Sequence, residues 1–305
     1  MGYSARKHEV LFDRQIDKAD LLPREWAALL GHKAVGRYRT KRVEAGDYIE
    51  YESFPVWQWR REASRARRAQ PTEQAQRNLN QANSRKRMVR LTNTNFTPED
   101  LFITLTYAGI QPTTLAEAKK DVQAFIRRVK RRREKDGLPE LKYIYCVEYA
   151  KDGRKARVHH HIVMSGMDRD TVEQLWGKGR ANANKLQPDE YGFEGLTRYM
   201  TKTQGQRAPG ERLWSCSRNL EEPKVTYSDR RLSKRAIEKG IADDATLRAA
   251  VERLEPDCIV NDITIKRSDY VSGVYTHIRM RRVRPREKPP GPPDGGAKAR
   301  KGSRP

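Results

Sequence analysis

Three histidines stand together in RVHHHIVM, residues 157–164, of a chain that has six in all. The flanking Val158, Ile162 and Val163 favour extended backbone, so the segment reads as a strand. Side chains alternate along a strand. His159 and His161 therefore share one face, with Cα atoms roughly 6.5–7 Å apart, and His160 turns to the other. Two imidazoles at that spacing can share one metal ion. Glu148 stands just before the turn KDGRKA (151–156), which has Asp-Gly at its centre. Antiparallel pairing across that turn brings its carboxylate over the face of His159 and His161. Two imidazoles and one carboxylate leave open positions for water and a phosphate oxygen. The same residues also fit plain sheet histidines with a surface glutamate beside them, and the local pattern leaves both readings open.

A second constellation lies in GLTRYMTK, residues 195–202. Tyr199 and Lys202 are three apart, hence neighbours on one helix face. A phenol ordinarily titrates near pH 10. It can attack a phosphodiester where a cation or metal stabilises the developing charge. Leu196, Tyr199 and Met200 also fall at core spacing, so packing is the competing role for Tyr199.

These side chains need a frame. LFITLTYAG (101–109) is β-branched and aromatic and predicts a buried strand. Residues 114–137 predict a helix: Thr114 and Glu117 form a capping-box pattern, Leu115, Ala118, Val122, Phe125, Ile126 and Val129 make one apolar stripe, and Gly137 ends it. Strands are expected over 141–150 and 157–166, short helices over 168–179 and 192–204, charged helix over 229–254, and closing strands over 258–267 and 273–283. The fold class is α+β, a central antiparallel sheet flanked by helices. Three parts follow: a basic, partly helical N-terminal extension over 1–97, a catalytic domain over 98–285, and a disordered tail over 286–305, rich in Pro, Gly and basic residues.

Within the extension, residues 60–90 carry many arginines and few large apolar residues, predicting either a solvated helix broken or started near Pro71 or a basic arm tracking phosphates. Arg60, Arg61, Arg65, Arg67, Arg68, Arg85, Lys86 and Arg87, with Arg157 in the histidine strand, are the candidate DNA contacts. Trp57 and Trp59 are expected on one strand face, stacking bases or packing.

Hydrophobic residues make up 36% of the chain and charged residues 34%; 63 Lys and Arg against 40 Asp and Glu give +23. Such an excess calls for a polyanionic partner. No apolar run approaches the ~20 residues needed to span a bilayer, so nucleic acid is favoured over a membrane. Three scattered cysteines without a CxxC pair argue against a thiolate zinc site and for a reduced, cytoplasmic setting.

LFITLTY, a helix, VEYAKDGRKARVHHHIVMSG and RYMTK, in that order, resemble the catalytic domain of HUH endonucleases, more narrowly the rolling-circle replication initiators of plasmids and phages. The resemblance covers residues 75 to 285. It implies a ferredoxin-like or RRM-like sheet, with Leu105 to Tyr107 on a central strand near the site. It makes His159, His161 and Glu148 the ligands of Mg²⁺ or Mn²⁺, Tyr199 the nucleophile and Lys202 a phosphate-positioning residue. The implied partners are single-stranded or cruciform origin DNA, with host helicase and polymerase. The chain departs from the pattern at His160, where an apolar or aromatic residue is usual, and at Val158, where proline is common. Tyr191 lies outside the helix, so a single-tyrosine enzyme is implied. A non-catalytic single-strand binder on the same fold, a metal-dependent hydrolase using activated water, and an HUH transposase are the rival readings. The order of tyrosine after histidines argues against a relaxase.

Overall fold

The computed structural model describes Glu9 and residues 11–16, 33–68, 73–109, 112, 114–152, 155–202 and 212–283. The tail expected over 286–305 lies outside the described residues. The α+β expectation holds: among the described residues two antiparallel sheets carry seven helices.

The first sheet is the expected central one. Its strands β4 (Leu101–Leu105), β5 (Tyr143–Asp152), β6 (Lys155–Met164), β7 (Ala181–Lys185) and β8 (Ser215–Cys216) run in the order β7-β4-β6-β5-β8. Helix α3 (Leu115–Lys135) covers one face. Its capping box forms as the sequence predicts: Thr114 Oγ1 accepts from Glu117 N at 3.2 Å, and the Glu117 carboxylate accepts from Thr114 N at 3.3 Å. Ala118, Val122, Phe125, Ile126 and Val129 then bury against Leu101, Ile103, Leu105, Val158 and Ile162. Short α4 (Arg169–Gln174) leads to Trp176, buried in the same core.

The second sheet uses both ends of the chain. Strands β1 (Arg14–Gln15), β2 (Val35–Ala45), β3 (Tyr48–Trp57), β9 (Lys224–Ser228), β10 (Cys258–Arg267) and β11 (Val274–Arg282) run in the order β1-β10-β11-β3-β2-β9. Strands from either side of the boundary drawn at residue 97 thus pair directly. Strand β2 escapes a sequence reading because buried positions in it hold Thr40 and Arg42; Arg42 is neutralised there by Glu44 and Glu255. β3 ends at Trp57, so Trp59 does not share its face; it lies beyond the strand, largely exposed. The charged helical stretch near the C-terminus is two helices, α6 (Lys234–Ala242) and α7 (Asp244–Leu254). They part at Asp243, whose carboxylate accepts from Ala245 N and Thr246 N and so starts the second. Both pack on Ile49, Tyr51, Ile278 and Met280.

Of the two helices in the basic stretch, α1 (Arg60–Arg68) rests on the second sheet. α2 (Glu73–Asn95) lies between the sheets. Its Met88 and Leu91 pack on Ile144, Cys146 and Val163 of the first sheet, and Val89 on Ala45 and Tyr48 of the second. Toward the second sheet it also sends Lys86 and Arg90 into buried Glu50 and Glu52. Lys86 Nζ and Arg90 Nη2 each lie 2.9 Å from Glu52, Lys41 Nζ lies 2.8 Å from it, and Arg90 also grips Glu50. The expected solvated helix is therefore solvated only in its first half. Its later half buries an apolar side and a charged side at once, which erases the amphipathic signal.

Burial alone raises the pKa of Glu50 and Glu52. The charge of Arg90 beside Glu50, and of Lys86, Arg90 and Lys41 around Glu52, outweighs it and holds both carboxyls below the usual range. A depressed folded pKa contributes stability above the unfolded value, near 4.3, that is lost as pH falls below it. Arg90→Ala leaves two buried carboxylates short of a partner and should cost about 3–5 kcal/mol in urea unfolding. Its denaturation midpoint should also fall less steeply than wild type between pH 5 and pH 3, checked by circular dichroism, because the carboxyls lose their depressed pKa.

Candidate active site

Strand alternation carries the site. β5 pairs antiparallel with β6 so that Glu148 stands opposite His159 and Cys146 opposite His161. On the other side of β6, Thr104 of β4 stands opposite His161. Glu148, His159, His161 and Thr104 therefore share one face, and the ligand atoms of the first three all lie within 4.8 Å of one another. His161 Nε2 is 3.1 Å from Glu148 Oε2, and its Nδ1 faces Thr104 Oγ1 at 3.3 Å. That second contact orients the ring and lets Nδ1–H donate to Thr104, freeing Nε2 as a ligand. His161 is almost fully buried; burial lowers its pKa against the raising influence of Glu148, and so favours the neutral imidazole that metals need. Donor type, convergence and protonation all fit a divalent cation. Glu50, Glu52 and His277 are equally close together, but Lys41, Lys86 and Arg90 already neutralise those carboxylates.

His160 points away, as alternation requires. Its Nε2 lies 2.9 Å from Tyr107 Oη, which also donates to Asp121 at 2.9 Å, beside Trp176. Burial pushes the His160 pKa down to about 4. The third histidine is thus a neutral bridge between β6 and α3 on the far side of the sheet.

Tyr199 comes from α5 (Glu194–Met200), within the stretch predicted over 192–204, of which 203 and 204 lie outside the described residues. Its ring centroid is 5.1 Å from that of His161, edge to face, and 6.2 Å from Phe102, which itself stacks on His161 at 5.8 Å. The ring is about half exposed, at 46%, whereas Met200 and Thr197 of the same helix are buried. The apolar spacing therefore reports packing by Met200 and not by Tyr199. Lys202, just past the helix, holds Nζ 4.4 Å from the Tyr199 ring centroid and 4.0 Å from Glu148 Oε2. The five residues singled out by sequence are gathered at one place.

Three devices fix α5. Gly192 takes φ +67°, and a Cβ there would fall 2.1 Å from Asn93 Oδ1 of α2, so only glycine allows the approach. Asn93 Oδ1 then accepts from Phe193 N at 3.1 Å. Finally, both carboxylate oxygens of Glu194 lie 2.7 Å from Arg279 Nη1 of β11. Sequence reasoning missed Phe102, Thr104 and Arg279. The first two were findable, since i, i+2 positions of β4 must face the site once β4 neighbours β6; Arg279 carries no local signal.

The basic candidates disperse. Arg60, Arg61, Arg65 and Arg68 are exposed on α1, Arg65 paired with Glu62; the side chains of Arg67 and Arg157 lie outside the described residues. Arg87 is exposed and pairs with Glu222 at 2.6 Å. Lys86 is held by Glu9 and Glu52, away from solvent phosphates. Arg85 is exposed and lines a cavity that Lys202 also lines. Among the described residues no helix is long and apolar enough to cross a membrane.

Mn²⁺ titration by calorimetry tests the site directly. His159→Ala and His161→Ala should each abolish measurable binding, while Thr104→Val, which removes only the support of Nδ1, should weaken it about 10- to 100-fold.

Residues 100–204, which contain all five gathered side chains, match the family model described as replication-associated protein ORF2/G2P. No curated protein and no solved structure matches the chain.

Proposed function

We propose that this chain is a replication initiator of the HUH type, which nicks single-stranded origin DNA through Tyr199 and later rejoins the strand. The observation that carries the reading is the position of the Tyr199 ring, 5.1 Å from the ring of His161, whose Nε2 belongs to a three-donor cluster. The replication-associated family match over residues 100–204 and the +23 charge support it.

The chemistry follows from the side chains. Mg²⁺ or Mn²⁺ held by Glu148, His159 and His161 would supply Lewis-acid polarisation of the scissile phosphate. Tyr199 Oη forms a bond to phosphorus while the bond from phosphorus to O3′ breaks; the phenol loses its proton and O3′ gains one. The products are a 5′-phosphotyrosine and a free 3′-OH, which a polymerase can extend. One phosphodiester replaces another, so no nucleotide cofactor is consumed and the reverse attack rejoins strands. Lys202 lies over the phenol ring and near Glu148. From there it offsets negative charge on the phenolate or on the phosphate. Half-exposure of the ring leaves an approach for a strand, and Phe102 beneath it limits how far the ring can tilt.

The test is incubation with single-stranded origin-region DNA and Mn²⁺, followed by a denaturing gel. Wild type should give a protein band shifted by covalent DNA. Tyr199→Phe should give none while binding the DNA with unchanged affinity, and Lys202→Ala should slow adduct formation about 100-fold. Cleavage without any adduct would instead assign a water nucleophile. An adduct that persists in Tyr199→Phe would place the nucleophile elsewhere.

A further inference from the structure

Behind α5, on its side toward the second sheet, a cavity of about 530 Å³ opens between α2, α5 and strands β3 and β11. That size is within the ~300–1,000 Å³ of small-ligand sites. Its polar lining is graded. Three exposed or half-exposed cations, Arg85, Arg198 and Lys202, line it from α2 and from α5 and its end; Arg198 also pairs with Glu194 at 2.7 Å across an exposed surface, and Lys202 lies 4.0 Å from Glu148. Deeper, Lys86 and Arg279 are held by carboxylates, Glu9 and Glu52 in one case and Glu194 and Asp262 in the other. Buried Tyr48 and Glu50 and partly exposed His277 close the wall contributed by the second sheet. Tyr48 donates to Glu50 at 2.7 Å, so both are satisfied. His277 Nε2 is buried without a hydrogen bond: Glu50 Oε1 lies 3.6 Å away, past hydrogen-bonding range. The cavity thus has cations where it meets solvent and an unsatisfied ring nitrogen in its wall.

We infer that this cavity takes one nucleotide of the DNA strand adjacent to the nicked phosphate, its phosphate against Arg85, Arg198 and Lys202 and its base turned toward His277. The inference rests on the proposed nicking reading for which strand it is, but not for the site itself. Lys202 supplies the link. The same ammonium lies 4.0 Å from Glu148 of the candidate metal cluster and lines the cavity, so a strand whose phosphate lies at the cluster is delivered to the cavity within one residue's reach. The anion preference follows from the exposed cations at the mouth, Arg85, Arg198 and Lys202, since Lys86 and Arg279 are balanced by Glu9, Glu52, Glu194 and Asp262. The partly exposed His277 ring lines the cavity beside the Glu50 carboxylate, and a base can lie against that ring where a phosphate would meet the like charge of Glu50. The second sheet then acts as more than a support: through Tyr48, Glu50, His277 and Arg279 it contributes one wall of a substrate-binding cavity beside α5.

Two measurements on the full chain test this. Affinity for a labelled single-stranded oligonucleotide should be measured by anisotropy across a KCl series, for wild type and for Arg85→Gln/Arg198→Gln. The cavity neutralises one phosphate, which is worth about 0.7 in the salt slope, so the double variant should lose up to about 0.7 from its slope; an unchanged slope overturns the assignment. In parallel, oligonucleotides carrying a photoreactive thymine at successive positions should be crosslinked and the adducts mapped. One position should label the Tyr48 or His277 peptide. Crosslinks there without any Tyr199 adduct would keep the cavity site and discard the nicking reading; a Tyr199 adduct with no cavity crosslink at any position would do the reverse. Competition of that crosslink by thymidine monophosphate alone, at the oligonucleotide's own concentration range, would assign the cavity to a free nucleotide and overturn the strand assignment.

Discussion

The two-residue alternation of β6 is the constraint from which the site follows. With β5 and β4 paired on either side in fixed register, His159 and His161 face Glu148 and Thr104, and His160 has nowhere to go but the opposite core. A slip of one residue in either pairing would exchange the two faces. It would drive Val158 and Ile162 out of the core under α3 and bury two imidazoles in their place. The convergence of the three donors and the hydrophobic core are therefore enforced by the same register, and the stability of one protects the other. His160 takes part in that enforcement, since its contact with Tyr107 exists only in the observed register.

Around this strand the chain is organised by α2. One helix serves as a wall for both sheets, apolar toward the first and ionic toward the second. Buried ion pairs seldom add stability over apolar packing of the same shape. Their use here brings directionality: Arg90 and Lys86 accept only one placement of Glu50 and Glu52, which sets the sheets at a defined rotation about the helix. Helix α5, which carries Tyr199, inherits that placement. It is held to α2 through Asn93 and to β11 through Glu194 and Arg279, so the position of Tyr199 over His161 depends on residues nearly 190 positions apart.

How much of this was legible differs by element. The capping box of α3, its apolar stripe, and strands β4, β5, β6, β10 and β11 were readable because each pattern is local: the stripe buries one face of α3, and the strands carry short runs rich in apolar, β-branched residues. β2 was hidden by Thr40 and Arg42 at buried positions, and α2 by a face whose burial is achieved with charge. The run 229–254 read as one helix because Asp243 is an ordinary charged residue until its carboxylate is seen capping α7.

The sequence by itself determined the donor types and the shared face of His159 and His161, because alternation is a property of any strand. It also nominated Glu148, Tyr199 and Lys202 by residue type and spacing. Only the tertiary structure decided that Tyr199 stands beside His161 and that Thr104 and Phe102 complete its surroundings. Only it revealed that Lys86 is an internal counter-ion and that Arg279 anchors α5. The physical reason is the range of the interactions. Periodicity and capping act over a few residues and leave their mark in the local order of residues. Ion pairs and ring contacts between distant segments depend on register and docking, which no local pattern encodes.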